Sequence, residues 1–393
     1  MPTPYRSLYT YPWDIRDQGV NIFVADALNL GVTEITLATS YHAGKFIRPQ
    51  SSSVIFPEDG VVYFDAQLSR YGEIKPQLHS DPALRRVLPN LLNDGRLRVH
   101  GWTVLLHNSR IGAEFPQYCS HNVFGDAYVY SLCPMHEAVS EYAINLSADL
   151  TEQHALQSIV LETPGWLPYA HGYHHEFAQI EANPWLDHAL GLCFCSACKQ
   201  VAKDQQINVD GLQSRLAKHV SNYFKTEFPN NDLEQFFKED VDVINYIQMR
   251  QRRVTNLVAD IAAAIPGTTQ LAVIPSVQRP TANCWAEGSD LVALAGVADY
   301  LEIPFYESSA QQVLADAKAT LQTLGGVGQV RGILRPGHPD LKQAEEIQQA
   351  ITGLQELGIH DLAFYNYGLL PRYQLDKLAH CLVTMTNNMK ATS

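Results

Sequence analysis

Ser158-Ile159-Val160-Leu161-Glu162 is a five-residue run with three branched apolar members, and it ends on a carboxylate followed at once by Thr163-Pro164-Gly165. Its brevity, its branched side chains and its Pro-Gly stop mark a buried β-strand. Side chains alternate between the faces of a strand, so Glu162 shares a face with Val160 and opposes Ile159 and Leu161. Three similar runs precede it, Ser7 to Ile15, Glu34 to Ser40 and Leu97 to His107. Four follow it, Gln270 to Pro275, Asp299 to Phe305, Gln329 to Leu334 and Asp361 to Tyr365. Helical patterns lie between them, among them Asn21 to Leu30, closed by Gly31 as a C-cap, and Asp290 to Val297. Alternating strand and helix eight times predicts an α/β fold, a closed (β/α)8 TIM barrel. An open doubly wound sheet uses the same alternation with fewer strands, about six, and the count of eight favours the barrel.

Two long insertions interrupt the spacing, residues 45–90 after strand two and 163–265 after strand four. The first contains strand-like pieces such as Gly60 to Phe64. The second contains a cysteine cluster and then the helical stretches Val209 to Phe228 and Asp232 to Ile265. With no internal repeat, residues 1–393 are read as a single barrel catalytic domain. Hydrophobic residues make up 46% and charged residues 18%, enough for a large core and unlike a disordered chain. A net charge of −13 opposes binding to nucleic acid or to an anionic membrane. No stretch approaches the ~18 apolar residues of a membrane span, and the start, Met1 to Arg6, lacks a secretory signal pattern, so a cytoplasmic protein is expected. Nothing opposes a homo-oligomer.

Seven cysteines are present, and three fall together in Cys193-Phe194-Cys195-Ser196-Ala197-Cys198. The C-x-C-x-x-C spacing lets three thiolates reach one ion, and a tetrahedral structural site needs a fourth ligand. Cys133, in Tyr130-Ser131-Leu132-Cys133-Pro134 after strand three, is the candidate, because loops after neighbouring strands lie side by side on one barrel face. His188 is the runner-up, and three unligated thiols are the alternative. A structural Zn2+ is the expected cofactor. Cys119, Cys284 and Cys381 read as inert core thiols.

From Ser131-Leu132-Cys133-Pro134, through the helical segment to Tyr142 and the strand ending at Glu162, to Cys193–Cys198, the chain resembles family 42 of the glycoside hydrolases. The likeness spans residues 97–205, about a quarter of the chain. It implies a barrel with a four-cysteine zinc cluster, one ligand after strand three and three after strand four. That family carries Asn-Glu at the end of strand four and a nucleophilic Glu after strand seven. This chain has Leu161-Glu162-Thr163 and Arg335-Pro336-Gly337-His338 there, so the resemblance does not carry the family's galactosidase activity across.

Barrel chemistry sits at the C-terminal ends of the strands. Glycoside hydrolysis needs a proton donor and a second carboxylate as nucleophile or base. Glu162 is the first candidate, since a charge ending an apolar strand is costly unless it faces the mouth or has a partner. Glu302, on the face of Tyr300 and Pro304, is the preferred second carboxylate, ahead of Glu307 and then Asp14. The competing reading pairs Glu302 with Arg279 or Arg335 inside the barrel. Carbohydrate contacts are expected from Trp13, Asp14, His42, His107, Asn108, Trp166, His174, Arg279, Tyr306, Arg335, His338, Tyr365 and Asn366, whose rings stack on sugars and whose polar atoms bind hydroxyls. Arg335 with His338 points to an acidic or sulfated sugar. The function expected is that of a glycosidase. Two alternatives stand beside it: a metal-dependent barrel isomerase, epimerase or hydrolase using His42, His107, His174 and His338, and a non-catalytic sugar-binding relative.

Overall fold

The computed structural model describes residues 5–172, 179–227 and 232–391. Eight parallel strands close into a barrel: β1 (Arg6–Thr10), β2 (Glu34–Tyr41), β3 (Arg98–Val104), β4 (Ser158–Glu162), β5 (Gln270–Val273), β6 (Tyr300–Pro304), β7 (Val330–Leu334) and β8 (Leu362–Phe364). Each pairs with its sequence neighbours, and β8 closes on β1 through Arg6↔Leu362 and Leu8↔Phe364. A helix follows each strand, from Val20–Asn29 after β1 to Arg372–Ala391 after β8. The fold is the (β/α)8 barrel that the alternation predicts.

Period-two alternation divides the core in two. Outward-facing Leu8, Ile35, Leu37, Val99, Ile159, Leu161, Val273, Leu301, Ile303 and Phe364 pack under the helices. Inward-facing Tyr9, Ala38, Trp102, Val104, Val160, Ala272, Ile333 and Ala363 fill the barrel. Leu161 is fully buried between strand and helices, and truncating such a residue to Ala costs about 2–5 kcal/mol.

Three boundaries differ from the sequence reading. The first strand stops at Thr10, because Pro12 opens the helix Pro12–Gln18 as its first residue, where the missing N–H costs nothing. Gly19, at φ +86°, ends that helix. The insertion after β4 is shorter than expected, because Val241–Ala264 is the barrel helix of that strand; it is capped by Asp240, whose side chain accepts from the Val243 N–H at 3.1 Å. A third excursion, after β3, carries the antiparallel pair Cys119–His121 and Ala127–Leu132. The insertion after β2 contains a hairpin, Phe46–Arg48 with Ser53–Ile55, and adds Val61–Val62 antiparallel to the end of β2. No described helix is long and apolar enough to cross a membrane.

Candidate active site

A cavity of about 550 Å³ opens at the C-terminal end of the barrel, within the range of small-ligand sites. Glu162, the last residue of β4, lines it beside Tyr9, Tyr41, Trp102, Ile274, Ile333 and Tyr365. Val160 stands opposite Trp102 in the β3–β4 register, and the Trp102 indole N–H reaches up to donate to the Glu162 carboxylate. No other described side chain bonds to that carboxylate. Burial pushes the Glu162 carboxyl up to about 7, and the Trp102 hydrogen bond pulls in the opposite direction. Glu162 is also the one carboxylate among the described residues lining the cavity.

One wall is aromatic. The Tyr11 hydroxyl donates to that of Tyr41 at 3.0 Å and shares a hydrogen bond with that of Tyr365 at 2.8 Å. Tyr306 tilts against Tyr365, with ring centroids 5.6 Å apart. The guanidinium carbons of Arg279 and Arg335 lie 4.6 and 4.8 Å from the Tyr306 ring centroid. On the β2 and β3 side, His42 and His107 stack at 3.9 Å, and His171 lies edge-on to His107 at 5.5 Å.

Of the residues expected to bind substrate, His42, His107, Arg279, Tyr306, Arg335 and Tyr365 line the cavity. His174 falls outside the described residues. The others are used elsewhere. Trp13 is buried in the first helix, stacked on Tyr11 at 4.5 Å, and Asp14 binds Arg48 at 3.0 Å. Asn108 caps the helix Ser109–Glu114, accepting from the Ile111 N–H. Trp166 turns back into the core beneath the buried guanidinium of Arg250, 4.4 Å away. The Asn366 side chain accepts from the Gly368 N–H, and His338 is exposed outside the cavity lining.

Glu302 faces inward, as alternation requires, but does not line the cavity. It is fully buried, accepts hydrogen bonds from Tyr5 (3.0 Å) and Tyr9 (2.8 Å), and lies 3.8 Å from Arg331. Its cation is thus Arg331 and neither Arg279 nor Arg335. Glu307 lies past the end of β6, half-buried beside cavity-lining Tyr306. Its carboxyl is raised by burial and by Asp316, with Arg279 opposing. Sequence reasoning passed over Trp102, because a tryptophan inside an apolar strand reads as core. Its signal was positional: it shares a face with His100 and Val104, the inward face of β3.

The four cysteines Cys133, Cys193, Cys195 and Cys198 converge, all buried and none in a disulfide, with their sulfurs within 4.8 Å of one another. They are, among the described residues, the one group of three or more metal-type ligands that converges. Cys133 Sγ lies 3.4 Å from that of Cys198 and 3.6 Å from that of Cys195. Four Zn–S bonds of ~2.3 Å in a tetrahedron place sulfurs about 3.8 Å apart, so the donor set fits that ion. The His121 N–H donates to Cys193 Sγ at 3.4 Å. His188 is instead packed against Trp285, 4.6 Å away, outside the cluster.

Neither a family model nor a curated protein sequence matches the chain. Solved structures do. The glycoside hydrolase domain of PgaB (BpsB) from Bordetella bronchiseptica superposes with a TM-score of 0.60 at 11% identity, over 97% of this chain and 99% of that one. The α-L-fucosidase isoenzyme 2 of Paenibacillus thiaminolyticus gives 0.55 at 13% identity, over 98% of this chain and 49% of that one. The endo-1,4-β-mannanase of Rhizomucor miehei gives 0.53 at 10%, over 98% and 96%. The likeness is one of fold.

Proposed function

We propose that this chain is a glycoside hydrolase in which Glu162 is the general acid, acting on a carbohydrate bound in the barrel mouth. The observation that carries the reading is a lone carboxyl at the end of β4, raised to about 7, in a cavity walled by tyrosines and a tryptophan. An acid that must protonate a leaving oxygen near neutral pH needs a raised pKa, which burial without a cation supplies. The folds of the PgaB domain, the fucosidase and the mannanase support it.

Of the two carboxylates expected to complete the pair, Glu307 stands on the mouth side of β6 and takes the nucleophile or base role in this reading. Glu302 holds the Tyr9 hydroxyl beneath the floor. The four cysteines hold a structural zinc that ties the loop after β3 to the loop after β4. The same order of elements supports kinship with family 42, with the whole chain acting as one catalytic unit.

Turnover of a panel of aryl glycosides and short oligosaccharides by Glu162→Gln, Glu307→Gln and Glu302→Gln tests the assignment. Expected are a loss of about 10²-fold or more for Glu162→Gln, with sugar binding retained, and a comparable loss for Glu307→Gln. Wild-type turnover by Glu162→Gln sinks the reading. Sugar binding by the wild type without turnover of any glycoside identifies a non-catalytic relative.

A further inference from the structure

The cations of the mouth are more numerous than its anions. Lys45, from the loop after β2, Arg279, from the loop after β5, and Arg335, from the loop after β7, line the same cavity, against the single carboxylate of Glu162. In a chain of net charge −13, cations outnumber anions among the side chains lining this cavity, although Asp340, outside the lining, pairs with Arg335.

These cations are not spent on Glu162, which forms no ion pair with any described residue. Their structural duties use only part of their donors. Arg335 donates from Nε to Asp340 at 2.7 Å, and both its terminal nitrogens bond to no other described residue. Arg279 reaches the loop after β6 through Nε to the Tyr306 carbonyl and holds its own loop through Nη1 to the carbonyls of Val277 and Gln278, leaving Nη2 without a described acceptor. Lys45 makes no ion pair with a described residue. Two guanidiniums on one tyrosine ring repel each other, and an anion placed between their unused donors would offset that repulsion with charge-assisted hydrogen bonds.

We infer that the mouth takes an acidic saccharide, one whose carboxylate or sulfate is bound by Arg279 and Arg335 while its ring lies on the aromatic wall. This rests on the glycoside hydrolase reading and names its substrate class. A neutral sugar fills hydrogen bonds to hydroxyls but leaves the terminal nitrogens of Arg335 and Nη2 of Arg279 without an anionic partner among the described residues.

The test is calorimetric titration of Glu162→Gln protein, in which turnover is suppressed. The probes are the methyl glycosides of glucuronate, galacturonate and the 6-sulfates of glucose and galactose, each against its neutral parent and in both anomers. Expected is at least one acidic glycoside binding ten-fold or more tighter than its parent, with an advantage that shrinks as salt is raised. Preference for the uronates identifies a carboxylate, and preference for the 6-sulfates a sulfate. Adding Arg279→Met or Arg335→Met should cut the advantage to below about three-fold, read as the ratio of acidic to neutral affinity within each variant. Neutral parents binding as tightly as their acidic partners overturns the inference and leaves the glycosidase reading standing. Failure of every sugar to bind overturns both. An undiminished preference in both arginine variants overturns the assignment, and the acidic-against-neutral comparison needs no arginine variant should one fail to fold.

Discussion

Glu162→Gln should make the protein more stable at pH 8 while removing its turnover. The Glu162 carboxyl has an ordinary value of 4.5 and titrates at about 7 in the folded chain. Between those two pH values the folded state holds a proton that the unfolded state has released, so stability falls as pH rises through that window. The difference, 7 − 4.5 = 2.5 units, amounts to about 3 kcal/mol once both states are ionised. Glutamine keeps the shape, accepts the Trp102 N–H through its amide oxygen and carries no charge, so the penalty disappears. For a chain of this length, about 3 kcal/mol corresponds to a rise in thermal midpoint of about 4 °C. At pH 5 little of the penalty has developed, and the gain should be under about 1 kcal/mol. Scanning calorimetry of both proteins at pH 5 and pH 8 reads the difference directly. Glu287, also buried and raised to about 7, is common to both proteins and cancels. A variant no more stable than wild type at pH 8, or equally stabilised at both pH values, refutes the placement of an uncompensated carboxylate there.

In the same electrostatics, kcat/KM should fall on the alkaline side with a midpoint near pH 7, as the acid loses its proton. Trp102→Phe removes the donor that favours the ionised form and should move that limb upward; an unmoved limb detaches the pH profile from Glu162. Metal analysis should find about one zinc per chain in the wild type and little in Cys198→Ser, with a lower thermal midpoint in the variant. A metal-free wild type with four reduced thiols and unchanged stability removes the staple. Glu302→Gln should lower stability by about 3 kcal/mol, because Arg331 loses its buried counter-ion, and should reduce turnover far less than Glu162→Gln. An inactive but fully stable Glu302→Gln would return Glu302 to the chemistry.

The barrel was legible because its signal repeats: each strand is short, branched and stopped by Pro, Gly or a polar residue, and each missed strand boundary costs only a few residues. The cysteine cluster was legible for a related reason, since barrel loops leave one face in strand order and Cys133 must emerge beside Cys193–Cys198. Direction within loops was not legible. Asn108 and Trp166 follow strand ends in the chain, but Asn108 turns back to cap a helix and Trp166 to pack under Arg250. Trp13 and Asp14 are read as strand residues, but Pro12 turns that stretch into a helix in which Trp13 stacks on Tyr11 and Asp14 pairs with Arg48.

Height along the barrel axis is the other quantity that alternation does not supply. Glu34, Glu302 and Glu162 are all carboxylates on barrel strands, standing at the start of β2, the middle of β6 and the end of β4. Glu34 is pushed up by burial, but hydrogen bonds from His100 (2.6 Å) and Arg98 outweigh it and hold the carboxyl below its usual range. Glu302 has two tyrosine hydroxyls and Arg331. Glu162 has one indole N–H, although two guanidiniums line the same cavity. A buried charge with partners is part of the scaffold, because its cost is already offset; one left without a cation keeps its proton near neutrality and can give it away. Partner count therefore separates the reacting carboxyl from the structural ones, and it is written across six strands rather than along any one of them.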